Sequence, residues 1–340
     1  MQLLDQAVVN AYSDLLGASL SPAFDGKGLS FTRKKINGRS YVYVSAKVGS
    51  VPMQRYLGPD DENTQALIDK EKALWTEAAA SRPTRARLVN MVLAGGVAGP
   101  TPQEGRILRM LERGGVFLAG GVLVGTPAFR TLGALLGVAW DGQFSTRDVD
   151  IAVDNRLPVA IDSNRVDLRE LLETSGMGFV EVPMLNPKQP ATSYKMRGGE
   201  FRVELLTPER GKPRTGPVRI PAFNAVAEPL RYLDYLIEDP QPAVIPFDVG
   251  ILVNVPDPAR FAVHKLVISQ RRATAFAAKS AKDIDQARQV LEVLLDVRPG
   301  AVVAAMDAAE RVGGKFMRHY QAAAKLLPET LQKALVDVMR

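Results

Sequence analysis

Thr146-Arg147-Asp148-Val149-Asp150-Ile151-Ala152-Val153 alternates charged and apolar side chains with a period of two. In a strand that period buries Val149, Ile151 and Val153 and projects Asp148 and Asp150 together from the other face. Two carboxylates so placed repel each other and gain nothing structurally unless a cation lies between them. An all-oxygen donor pair suits a hard divalent ion such as Mg2+ or Mn2+, which completes its shell with water and phosphate oxygens. Phe201-Arg202-Val203-Glu204-Leu205 repeats the logic, with Phe201, Val203 and Leu205 inward and Glu204 outward. A third carboxylate on a neighbouring strand is what in-line phosphoryl displacement at paired metal ions requires, although taken alone Glu204 reads more readily as a solvated strand residue.

Composition narrows the chemistry further. The 340 residues include no cysteine and two histidines, His264 and His319, which excludes disulfides, thiolate nucleophiles and histidine-rich metal sites. Hydrophobic residues make up 46% and charged residues 24%, ordinary proportions for a chain with a real core. The longest uncharged stretches, Leu88 to Gln103 and Gly114 to Phe129, are 16 residues each, glycine-broken and too short to span a bilayer. Met1-Gln2-Leu3-Leu4-Asp5 does not open like a signal peptide. A cytoplasmic protein without membrane contact is expected. The net charge of +6 favours phosphate-bearing partners.

That charge is concentrated. From Gly26 to Pro59 there is no acidic residue, while Lys27, Arg33, Lys34, Lys35, Arg39, Lys47 and Arg55 are all cationic. Ser30–Ile36, Ser40–Lys47 and Val51–Leu57 have strand composition, and Asn37-Gly38 is a hairpin signal. The expected unit is a basic three-stranded ribbon carrying Phe31, Tyr41, Tyr43 and Tyr56. Cations that hold phosphates beside rings that stack bases suit nucleic acid, with Arg33, Lys34, Lys35, Arg39, Tyr41 and Tyr43 as candidate contacts. The plainer reading is a solvated ribbon whose lysines guard its edges.

Between these regions, Asp60 to about Ala94 reads as helical with an interruption at Ser81-Arg82-Pro83. Gly95-Gly96 and Gly99-Pro100 mark a boundary. Thr101, Pro102 and Glu104 open a helix in N-cap, N1 and N3 positions. Val116–Ala119 reads as a strand feeding Gly120-Gly121 and a helix from Val122 to Leu136, so that the Gly-Gly turn would offer backbone N–H groups to phosphate. Alone, that turn is equally explained by close helix–strand packing. Strands at Val180–Met184 and Ser193–Arg197 and a helix at Leu168–Ser175 follow, then a helix around Ala225–Ile237, a strand at Gly250–Val255, and helices to the end. On the helix opened by Asp257-Pro258, Lys265, Ser269 and Arg272 form one polar stripe, with Arg271, Lys279 and Lys282 nearby. His264 reads as packed, His319 as surface.

Taken together, a Gly-Gly turn, Asp-x-Asp and a third strand carboxylate resemble the DNA polymerase β-like nucleotidyltransferase superfamily. A closer resemblance, over about residues 110–295, is to a bacterial group of nucleotidyltransferase-fold proteins. Its signatures match Gly120-Gly121-Val122-Leu123-Val124-Gly125-Thr126-Pro127-Ala128-Phe129, Leu136-Gly137-Val138-Ala139-Trp140, Glu204-Leu205-Leu206-Thr207-Pro208 and Val255-Pro256-Asp257-Pro258-Ala259-Arg260-Phe261-Ala262-Val263-His264-Lys265-Leu266. The 26 residues between Gly121 and Asp148 exceed the superfamily's usual gap but suit this group. Lys265, Arg271, Lys282 and Asp283 are also similar in order to those of abortive-infection and toxin nucleotidyltransferases, a toxin–antitoxin-like arrangement.

The resemblance implies an α+β fold: a polymerase β-like core of a small mixed sheet flanked by helices, with the basic ribbon and helices before it and a helical region after it. The expected divisions are 1–100, 101–220 and 221–340. It implies Asp148, Asp150 and Glu204 as ligands of Mg2+ or Mn2+, and Gly120, Gly121, Thr126, Thr146, Lys265, Arg271 and Lys282 around an NTP such as ATP. Asp283 would order the site or assist the acceptor. The expected activity is transfer of a nucleoside monophosphate to an acceptor hydroxyl, with RNA (a tRNA-like 3′ end) favoured by the ribbon. The alternatives are a turnover-free nucleic-acid-binding or regulatory protein of the same fold, and a small-molecule, antibiotic-type nucleotidyltransferase.

Overall fold

A computed structural model describes residues 1–20, 29–36, 38–48, 51–142, 146–156, 166–184, 186, 188–212, 216–272 and 277–339. Asn37 of the expected hairpin, and Gly26 and Lys27 of the basic run, lie outside the described residues. The chain opens with β1 (Gln2–Leu3) and α1 (Gln6–Leu20), then the antiparallel sheet β2 (Leu29–Ile36), β3 (Arg39–Val48) and β4 (Val51–Pro59), the ribbon expected from its composition.

α2 (Glu62–Ala94) follows, capped by Asp61, whose carboxylate accepts the Thr64 N–H at 2.8 Å. It runs unbroken through Pro83, where the sequence suggested an interruption. Tertiary contacts override the proline: Val89 and Val92 are buried, and the Arg85 guanidinium donates to the Val249 and Gly250 carbonyls at 2.9 and 3.3 Å. α3 (Pro102–Arg113) begins as its capping residues dictate, with the Thr101 hydroxyl accepting the Glu104 N–H.

The central sheet has the strand order Val218–Ile220, Ala225–Arg231, Arg202–Glu209, Asp148–Ala152, Val122–Val124. β5 (Val122–Val124) leads directly into α4 (Gly125–Leu136), and β6 (Val138–Ala139) pairs with β1. β7 (Asp148–Ala152) is followed by α5 (Leu168–Thr174), β8 (Phe179–Glu181), β9 (Ser193–Met196) and β10 (Arg202–Glu209). Next come β11 (Val218–Ile220) and β12 (Ala225–Arg231), so the sheet draws on residues both sides of 220. β12 is a correction, since Ala225–Ile237 reads as one helix. Its Ala, Glu, Leu and Arg are helix formers, but a free edge of β10 pairs with them in parallel and buries Ala227 completely; only Leu233–Ile237 (α6) is helical.

Val116–Ala119 is also corrected from a strand to consecutive turns, in which the Gly121 N–H donates to the Val116 carbonyl at 2.9 Å. β13 (Gln241–Ile245) and β14 (Ile251–Val255) form a hairpin. Helices complete the chain: α7 (Pro258–Ser269), α8 (Ala277–Val297), α9 (Pro299–Val312), α10 (Gly314–Ala324) and α11 (Glu329–Val338). One apolar cluster joins Ile107 to Leu335 through both faces of this arrangement, with the Phe129 ring stacked on Trp140 at 4.8 Å. The fold is α+β, a small mixed sheet flanked by helices with a helical C-terminal region. No described helix is long and apolar enough to cross a membrane.

Candidate functional site

Strand pairing brings the three carboxylates together. β7 and β10 run parallel in a register that sets Asp150 opposite Glu204 and Asp148 opposite Arg202. Paired residues on adjacent strands share a face, so Asp148, Asp150, Arg202 and Glu204 stand on one side of the sheet. Val149, Ile151, Val203 and Leu205 are buried on the other. Burial, then Glu204, then Asp148 push the Asp150 carboxyl up to about 7, against the opposing pull of Lys265 and Lys279. Arg202 donates to the Glu204 carboxylate at 3.1 Å.

β12 adds a fourth carboxylate that the helical misreading of its sequence concealed. Glu228 pairs with Leu206 and therefore shares Glu204's face. Burial and then Glu204 hold its carboxyl above the usual range. Pro229, which a continuous helix over 225–237 would carry in its interior, is the signal in the sequence.

The helix terminus beside these groups is not the one expected. β5 is antiparallel to β7 with Val124 opposite Asp150, which puts Gly120 and Gly121 toward the other end of the strand. Asn254 holds that turn, its amide donating to the Phe117 and Gly121 carbonyls at 2.8 and 3.0 Å. A Cβ on Gly121 would lie 2.7 Å from the Val116 carbonyl oxygen, the packing explanation for this glycine. Gly120 lines a cleft of about 890 Å3 with Asp154, Arg210, Asp234, Asn254 and Arg311.

At the carboxylates themselves stands Gly125, first residue of α4, with φ +71°. A Cβ there would lie 2.9 Å from an Asp150 carboxylate oxygen, and the positive φ is what calls for glycine. Thr126 follows, buried in the first turn, and no side chain caps the helix. Backbone N–H groups beside an acidic cluster are suited to an anion that arrives with its own cation.

The cationic side comes from α7 and α8. Asp257 caps α7, accepting the Ala259 and Arg260 N–H groups at 2.9 Å each. Lys265 is buried and donates to Asp283 at 2.7 Å, while the Arg272 Nε donates to the second Asp283 oxygen at 2.6 Å. Lys265 and Arg272 of the expected stripe therefore converge on Asp283 of α8, while the Ser269 hydroxyl donates to the Leu266 carbonyl at 2.7 Å. Burial and then Lys265 lower the Lys282 ammonium below the ordinary lysine range. Thr146 accepts the Asp148 N–H at 3.2 Å and so steadies the start of β7. Arg271 lies instead over the Tyr232 ring, 5.0 Å from its centroid. His264 is buried and kept neutral, pushed down to about 3 by burial and then Lys265. His319 is half-buried, held low by burial and by Arg271 and Arg318.

Sheet, helix terminus and paired cations thus surround one acidic face. A family model described as nucleotidyltransferase matches residues 103–310. The chain belongs to this nucleotidyltransferase family. The match begins in α3 and ends in α9, so it takes in Asp148, Asp150, Glu204, Glu228, Lys265, Arg272, Lys282 and Asp283. No curated protein and no solved structure matches the chain.

The donor set of this nucleotidyltransferase is all oxygen. Among the described residues, no three His, Asp or Glu side chains close into a metal cage. The donors nonetheless fit a hard divalent cation: they are all carboxylate oxygens on one face, and burial, then the neighbouring Glu204 and Asp148, raises the Asp150 carboxyl.

Proposed function

We propose that the enzyme moves a nucleoside monophosphate from an NTP to an acceptor hydroxyl, and that the acceptor is RNA. The observation that carries the transfer reaction is the register pairing of Asp150 with Glu204, beside Asp148 and against Gly125. Asp148, Asp150 and Glu204 would hold Mg2+ or Mn2+. Bound there, the ion would polarise the α-phosphate and neutralise charge on departing pyrophosphate.

The chain's own groups do the rest. The Gly125–Thr126 terminus of α4 offers uncapped N–H groups to phosphate oxygens. Lys265, Lys279 and Lys282 offset the charge of the triphosphate, with Asp283 fixing Lys265 and Arg272 in place. The hydroxyl oxygen attacks the α-phosphorus as the bond to the bridging oxygen of pyrophosphate breaks, and the hydroxyl proton passes to a carboxylate of the acidic face. RNA as the acceptor is supported by the basic, aromatic ribbon of β2–β4.

The test is incubation of the protein with each α-labelled NTP, Mg2+ and either total RNA or protein extract. Label appearing in RNA, and lost with Asp148→Ala while the variant stays folded, is the expected result. Label in protein alone overturns the RNA acceptor. Label transfer that survives Asp148→Ala overturns the site.

A further inference from the structure

The three-stranded ribbon has two different faces. Register places Phe31 opposite Val44 and Arg33 opposite Val42, whereas Thr32 meets Tyr43 and Lys34 meets Tyr41. β4 continues the second set, with Tyr56 opposite Tyr43. Because paired residues share a face, Phe31, Arg33, Val42 and Val44 form one side, and Lys34, Arg39, Tyr41, Tyr43 and Tyr56 the other.

The first side is already occupied. Phe31 stacks on Trp75 of α2 with centroids 5.2 Å apart and planes 7° from parallel, and Val42 is buried. Arg33 Nε donates to both Asp60 oxygens at 3.1 Å, and its terminal nitrogen donates to Gln65 at 2.7 Å. Arg33 is therefore a bracket between the ribbon and α2.

The second side is open. Tyr56 is 53% exposed, and its ring centroid lies 6.0 Å from that of Tyr41 and 5.7 Å from that of Tyr43. The Lys34 ammonium stands 5.1 Å from the Tyr43 ring centroid, and Lys34 and Arg39 are both exposed. No carboxylate occurs anywhere between Gly26 and Pro59 to oppose a polyanion. Three clustered rings with cations beside them suit unpaired bases, whose faces are free to stack, better than a duplex, whose bases are not.

We infer that the Lys34–Arg39–Tyr41–Tyr43–Tyr56 face of the ribbon binds a single-stranded segment of the RNA acceptor, with Arg33 serving the fold and not the ligand. This rests on RNA being the acceptor. A fluorescent 12-nucleotide RNA of mixed sequence, mixed with the full chain in EDTA across a NaCl series, separates the two claims by anisotropy. Tyr56→Ala is expected to weaken binding about 10-fold or more, and Tyr56→Phe to restore it. Lys34→Gln and Arg39→Gln are each expected to flatten the log–log salt slope by about 0.7, while Arg33→Gln lowers Tm and leaves the slope alone.

If the wild-type chain binds the strand and the Tyr56, Lys34 and Arg39 variants bind it equally well, this face is wrong and RNA remains the acceptor. A duplex of equal length binding as tightly as the single strand also overturns the face. No binding of the strand at low salt, together with label transfer to a different acceptor, overturns the RNA reading and the face with it.

Discussion

Asp150 and Asp154 are four residues apart in the same segment, and the fold treats them in opposite ways. Asp150 lies near two other carboxylates, and burial and repulsion drive its carboxyl up to about 7. Asp154, just past the strand's end, is also penalised by burial, yet hydrogen bonds from Arg210 and Arg156 pull it down to about 2. Arg210 reaches it with both terminal nitrogens, at 2.7 and 3.0 Å. A stable fold had the means to pair both and paired one. The unpaired end is where binding energy is left for a ligand.

The largest effect expected is at that end. Asp150→Asn should cut nucleotide transfer by about 10^3-fold, the scale of losing a group that acts on the transition state. The same variant should raise Tm in EDTA, because it removes repulsion. The pH dependence has a definite sign. A carboxyl whose folded value is raised favours the folded state at low pH, and this contribution is lost as pH rises from about 4 through about 7. In Asp150→Asn that decline should flatten in a series of melts between pH 5 and 8. A fall in Tm would place Asp150 with Asp154 and end the contrast.

Asp283 belongs with the paired class, and Lys265→Met tests how firmly. Removing one partner of a buried ion pair leaves Asp283 to Arg272 alone, at an expected cost of about 3 kcal/mol by urea unfolding. Asp283→Asn added to Lys265→Met should recover part of it. NTP affinity measured by calorimetry on the folded single variant then reports whether Lys265 serves the ligand as well as Asp283.

The smallest effect is at the cleft end. Arg210→Ala leaves Asp154 with Arg156, and the solvent-facing side of the pair screens the loss to about 1 kcal/mol. Transfer activity should be unchanged. A large loss of activity there would mean that the two ends of β7 are one site.

The acidic face was legible because two strands of period-2 sequence put Asp148, Asp150 and Glu204 outward before any pairing was known. Their convergence needed only that β7 and β10 be neighbours. Gly125 does not stand out in the sequence because Gly120-Gly121 is the louder glycine signal, and telling them apart requires knowing that Val122–Val124 forms a strand between turn and helix. Glu228 was hidden by helix-forming neighbours that a sheet edge overrode, and Arg33 looked like Lys34 because composition does not reveal which side of a ribbon α2 covers. Thr101 and Asp257 announced their helices plainly, since capping is a local interaction.

α2 has a mechanical consequence. Thirty-three helical residues extend about 50 Å, with the ribbon fastened along the first half by Arg33 and the Phe31–Trp75 stack, and the last turns fastened against α1. Such a rod sets a minimum reach. Whatever touches both of its ends must itself be tens of ångströms long.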